Sequence, residues 1–108
     1  MVKRLSRGLD RDPIISLPFG PTAANVVILT GDALVLGWAV KESTGLAAAS
    51  FSLFDGADAT GTRIAPVTLN QGQSVRDMLP PPGVDALVGV FLRVDSGTVE
   101  GSIFMRDL

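Results

Sequence analysis

"ANVVILTGDALVLGWAV", residues 24–40, sets the character of the chain: two apolar runs on either side of Gly31-Asp32. Glycine in the first central position of a two-residue loop marks a type II′ turn, so the stretch predicts a β-hairpin. Side chains alternate across a strand. Leu34, Leu36, Trp38 and Val40 therefore share one face, and Ala33, Val35, Gly37 and Ala39 the other. Both faces are apolar, which predicts a strand buried on both sides. A core against one face and a neighbouring subunit against the other would account for that.

The same text continues downstream. "KESTG" at 41–45 is a polar turn, and "LAAASFSLFDG" at 46–56 ends as an alternating strand stopped by Asp55-Gly56. "DGADATGT" at 55–62 is a loop. "RIAPVTLNQGQSVRDML" at 63–79 gives two strands around Gln71-Gly72. Pro66 lacks a backbone donor, which assigns the first of them to a sheet edge or a bulge. "PPPG" at 80–83 predicts a stiff polyproline II corner. "DALVGVFLRV" and "TVEGSIFM" then predict a closing hairpin through Asp95-Ser96-Gly97. The sum is seven or eight strands, a turn signal roughly every 8–12 residues, and no convincing helix. That pattern belongs to an antiparallel β-sandwich or a small barrel, in an all-β chain.

Upstream the text changes. "MVKRLSRGLDRDPIISLPFGP", residues 1–21, carries charges, three prolines and no sustained period, so an extended arm precedes a domain over 22–108. Its apolar residues Ile14, Ile15, Leu17 and Phe19, with the bases Lys3, Arg4, Arg7 and Arg11, are the candidate partner-binding set. A solvated tail seldom carries four large apolar groups so close together. The set therefore reads as a strap that docks on a neighbour, with a frayed terminus as the plainer alternative.

The totals narrow the function. A chain of 108 residues makes one domain. Charged residues are 19% of it, against about 25% in an average globular protein. That shortage fits a subunit of an assembly, or a domain with an apolar binding face. A net charge of −2 excludes a strongly basic nucleic-acid footprint. The charge is uneven, however: residues 1–12 hold four bases against two acids, and the rest five bases against nine. The longest apolar stretch, "ALVLGWAV" at 33–40, falls far short of the roughly 20 residues that span a bilayer. No apolar signal segment follows the basic start, so synthesis in the cytoplasm is expected.

Chemistry has little to work with. The chain has no His and no Cys, which removes the commonest general base, thiol nucleophiles and thiolate metal sites. Lys41 and Ser43 resemble a Ser–Lys pair only on paper, flanking Glu42 in a polar turn. The acids Asp32, Glu42, Asp55, Asp58, Asp85 and Asp95 fall in turns, where carboxylates cap backbone N–H groups. Asp77 and Glu100 lie within strand text and read as charges guarding a sheet edge. "DGADATG" at 55–61 lacks the spacing of a calcium loop, and no phosphate-binding glycine motif is present. No catalytic residue, metal or cofactor is expected. Trp38 reads as core.

Taken together, "GDALVLGWAVKESTGLAAASFSLFDGADATG" (31–61), "VTLNQGQSVRDMLPPPGV" (67–84) and "GVFLRVDSGTVEGSIFM" (89–105) resemble the small virion structural proteins of tailed bacteriophages and phage-like particles. These are capsid decoration, head-spike and related minor structural proteins. The likeness rests on the Gly-Trp strand at Leu36–Val40, the Phe-Asp-Gly turn at Phe54–Asp58, Gly72–Asp77 before a Pro-Gly corner, and Gly89–Ser102. It covers roughly residues 30–105 and excludes the arm. It implies a jelly-roll-like β-sandwich that forms homo-oligomers and sits on a virion. The partner would be the major capsid protein or another particle component such as a spike fibre or tail, with no nucleic acid and no membrane. A carbohydrate- or receptor-binding module at a spike, fibre or tail is the alternative. An exposed aromatic platform for sugars would be hard to build from one Trp, five Phe and no Tyr.

Overall fold

The computed structural model describes residues 13–107. They form nine strands: β1 (Ile15–Thr22), β2 (Val26–Thr30), β3 (Ala33–Glu42), β4 (Ala49–Asp55), β5 (Thr62–Leu69), β6 (Ser74–Met78), β7 (Val84–Ala86), β8 (Gly89–Ser96) and β9 (Val99–Arg106). That is one or two more than the expected seven or eight. β1 comes from the arm text, and β7 is split from β8 by Leu87-Val88.

All pairings are antiparallel and make two sheets. Sheet A has the order β1-β9-β3-β6, with β7 on β3 at Ala33–Val35, just past the end of β6. Sheet B has the order β2-β8-β4-β5. The pairing is nested: β1 with β9, β2 with β8, β3 with β6 and β7, β4 with β5. The chain is therefore one long antiparallel hairpin with its tip at residues 56–61. Successive strand pairs fall in alternate sheets.

This corrects both predicted hairpins. Gly31-Asp32 and residues 97–98 each carry the chain from one sheet to the other, since β2 and β8 belong to sheet B and β3 and β9 to sheet A. Gly31, at a φ of 110°, makes the sharp turn with open space around it. Such a turn serves a link between facing sheets as well as a hairpin. Pro66 lies on β5, an edge of sheet B, as its missing donor requires. Residues 80–83 are not polyproline II. They form a tight turn, with the Gly83 N–H donating to the Pro80 carbonyl at 2.8 Å and the Pro81–Pro82 peptide cis.

The sheets share one core. Val35, Val99, Ile103 and Met105 enter it from sheet A, and Phe51, Leu53, Leu69 and Leu92 from sheet B. In β3 the register slips between Val35↔Met105 and Gly37↔Phe104, leaving Leu36 as an extra residue. The bulge changes the alternation: Ala33 and Val35 point inward, and then Trp38 and Val40 do. The strand is not sealed on both faces, because Leu34, Leu36 and Ala39 are only half-buried. At Gly37 the backbones crowd, and a Cβ there would sit 2.3 Å from the Asp77 carbonyl oxygen.

The boundary at residue 21 is also corrected. Ile15 to Phe19 pair with Met105 to Gly101 in register, so β1 is an integral edge strand of sheet A. Phe19 is buried, and its ring meets Phe51 edge-on at 6.4 Å and 67°. An apolar segment beside an unpaired sheet edge satisfies both its side chains and its backbone there.

Candidate interaction surface

The four apolar members of the partner-binding set lie in different surroundings. Phe19 lies in the core and Leu17 packs against it. Ile14 and Ile15 are exposed, at 56% and 41%. Lys3, Arg4, Arg7 and Arg11 lie outside the described residues.

Five of the acids have structural partners. The Glu42 carboxylate, almost fully buried, accepts hydrogen bonds from the Thr44 hydroxyl and from the N–H groups of Thr44, Gly45 and Gly72. The Thr44 hydroxyl leads, and with the three N–H donors it outweighs desolvation and holds the Glu42 pKa at about 2, below the usual 4.5. Burial pushes the Asp55 carboxyl up. The N–H groups of Leu87, Val88 and Gly89, at 3.0, 2.8 and 3.4 Å, overcome that and hold it below its ordinary value. The hydroxyl and N–H of Thr60 lower Asp58 in the same way. Asp95 accepts from Arg93 at 2.7 Å and from Ser52 at 3.3 Å. Glu100 lies 3.8 Å from Lys41, which points to solvent while Glu42 turns inward. Among the described residues no three of His, Cys, Asp and Glu converge on a metal position.

The outer faces of the two sheets differ. On sheet B, Phe54 pairs across the strands with Phe91. The guanidiniums of Arg93 and Arg63 stand 5.0 and 5.7 Å from the Phe54 ring centre and roof it. On sheet A, Arg76 covers Phe104 at 5.6 Å in the same manner. Beside Arg76 lies a hollow of about 360 Å³, with Lys41, Ser74 and Glu100 on its rim. Toward the other end the described residues leave the face open. Ile14, Leu36, Met78 and Leu79, with the prolines 80–82 and Arg106, line an open groove of about 540 Å³. Met78 there is 56% exposed. The buried Arg106 Nε has no hydrogen-bond partner among the described residues.

A second apolar feature lies at the end of the molecule that carries the 31–32 and 56–61 loops. Leu87 and Val88, between β7 and β8, are 65% and 59% exposed. Their backbone is clamped by Asp55 on one side, and on the other by the Gly31 N–H donating to the Val88 carbonyl at 3.0 Å. Of these residues only Ile14, at the groove, was among the predicted site residues; the rest of the groove and the tip were not. The available signal was "RDMLPPPG", where apolar residues run into a proline corner, and an apolar pair between two turn glycines. No family model, curated protein or solved structure matches this chain.

Proposed function

We propose that the protein is a non-enzymatic structural component of a phage or phage-like particle, which self-associates and binds the particle surface as a decoration, head-spike or vertex protein. The observation that carries this reading is the nested strand order, β1-β9-β3-β6 facing β2-β8-β4-β5. It supports reading the two sheets as a jelly-roll-like β-sandwich, an architecture used by viral capsid domains and also by lectins and cupins. Fold alone does not choose among those uses. The surface chemistry favours assembly: few charges, carboxylates engaged in holding loops, and an uncovered apolar groove. Modest patches repeated on a symmetric lattice gain avidity without any single tight contact.

The test is co-expression with phage shell and tail components, chosen from the genes that flank its own where these encode them, followed by density-gradient sedimentation. The protein is expected to travel with assembled particles at a fixed ratio to the main shell subunit. Recovery only at the top of the gradient, from every combination, would end the particle reading. The hollow rimmed by Lys41, Ser74 and Glu100 favours one second reading, a carbohydrate-binding module. A saturable hit on a glycan array, abolished by Arg76→Ala, would replace the first proposal with that one.

A further inference from the structure

We infer that Met78 is a redox-sensitive site: peroxide oxidises its thioether to the sulfoxide and so converts the apolar groove on sheet A into a polar one. Neither the reaction nor its site depends on the particle reading above. Three observations single out this sulfur.

First, peroxide has few targets in this chain. There is no Cys, no His and no Tyr, which leaves three methionines and one tryptophan. Trp38 is 4% exposed and Met105 2%, both sealed in the core that the two sheets share. Met1 lies outside the described residues. Met78 is 56% exposed.

Second, the sulfur is presented rather than tucked away. Met78 ends the edge strand β6 and pairs with Gly37 of β3. Its Sδ stands 2.8 Å from the place a Cβ on Gly37 would occupy, so it rides over a residue with no side chain to screen it. The backbone on either side is held, by the β3 ladder and by the Leu79 N–H donating to the Leu36 carbonyl at 2.8 Å. An oxygen added to the sulfur changes the lining of the groove and not the ladder.

Third, the groove already holds a donor for the product. Arg106 lines the same groove as Met78, and its buried Nε has no hydrogen-bond partner among the described residues. A thioether is a weak acceptor, and a sulfoxide oxygen is a far better one. Oxidation therefore supplies the kind of group that an orphaned guanidinium N–H lacks.

The step balances with hydrogen peroxide as the oxidant. The sulfur attacks one peroxide oxygen, an S–O bond forms as the O–O bond breaks, and the departing oxygen leaves as water. The sulfur loses two electrons, and a thiol-dependent methionine sulfoxide reductase returns them. Leu36 and Leu79, which line the groove with Met78, then border a polar group, and apolar contacts made there are weakened.

The test treats the folded full chain with dilute hydrogen peroxide and maps tryptic peptides by mass spectrometry. Cleavage after Lys3, Arg76, Arg93 and Arg106 puts the three methionines on separate peptides, 1–3, 77–93 and 94–106. Met78 is expected to gain one oxygen at least about tenfold faster than Met105, and the two should react at the same rate once urea unfolds the chain. Equal rates in the folded protein, or a protected Met78, would overturn the inference. The oxidised chain should keep its circular dichroism, and added reductase should restore the original mass. Loss of the strand signal would mean that oxidation breaks the ladder, against the proposal. Oxidation should also cut the fluorescence of an apolar dye bound to wild type and leave that of dye bound to Met78→Leu unchanged. A parallel drop in Met78→Leu would remove the groove from the proposal. Arg106→Leu tests the donor: sulfoxide formation should lower the melting temperature more in this variant than in wild type, and equal shifts would exclude Arg106 as the partner.

Discussion

Glu42 shows how a single acid can hold two loops. Its Oε2 takes the Thr44 N–H and hydroxyl, and its Oε1 takes Gly45 and, from the β5–β6 turn, Gly72. Glutamine at this position would turn an NH₂ group toward donors, so Glu42→Gln is expected to lower the melting temperature at pH 7. The pH dependence follows from the depressed pKa. A carboxyl at about 2 in the folded chain and near 4.5 when unfolded contributes stability that is complete above 4.5 and is lost as pH falls through 2. Thermal melts of both proteins from pH 7 to pH 2 check this: the gap should narrow over the lower part of that range. A constant gap would mean the charge is irrelevant. Wild type and variant should both keep some slope there, because Asp55 and Asp58 are lowered too. This much was half-legible in the sequence. Acids in turns predict caps, but nothing in "KESTG" says that the distant Gly72 N–H completes the set.

Among the elements, strand text was readable where alternation is strong and turn residues flank it, as in Phe51–Asp55 or Ser74–Met78. The sheet each strand joins was not. Gly31-Asp32 and Ser96-Gly97 are sound turns, yet a tight turn fixes only that the chain reverses. It does not fix whether the next strand pairs edge to edge or crosses to face the last one. β1 was obscured by Pro13, Pro18 and Pro21, although a sheet edge tolerates prolines. Phe19→Ala tests that strand. Removing a ring packed on Phe51 should cost about 3 kcal/mol in urea denaturation; a loss below about 1 kcal/mol would return residues 15–22 to the status of an arm. Gly37 tests the bulged centre of sheet A. A methyl group there meets the Asp77 carbonyl and the Met78 Cα, so Gly37→Ala should push β6 away from β3. We expect a cost of about 2 kcal/mol, typical of overpacking. Amide protons of residues 75–78 should lose protection while the β1–β9 ladder keeps it. Uniform loss across both sheets would show that β6 is not the element displaced.

For the whole molecule, the order of pairing governs how the fold can form. Among the described residues only β4 and β5 are joined by a short loop and paired with each other. Every other pairing waits on partners far away in the chain, up to Ile15 with Met105. No local run of residues announces that the first strand pairs with the last, which is why the sequence yields strands and not their sheet order. The same remoteness has a kinetic consequence. Closing long loops costs entropy before the contacts they permit are made, so chains dominated by distant pairings fold in milliseconds to seconds. Trp38, the single tryptophan, is 4% exposed and reports on the shared core. Stopped-flow refolding followed by its fluorescence should therefore give one phase on that timescale. Equilibrium unfolding should give the same midpoint by Trp38 fluorescence and by far-ultraviolet circular dichroism, because both sheets draw on one core. Microsecond refolding, or a fluorescence midpoint well below the dichroism midpoint, would mean that the sheets form independently and that the nested pairing does not bind the molecule into one cooperative unit.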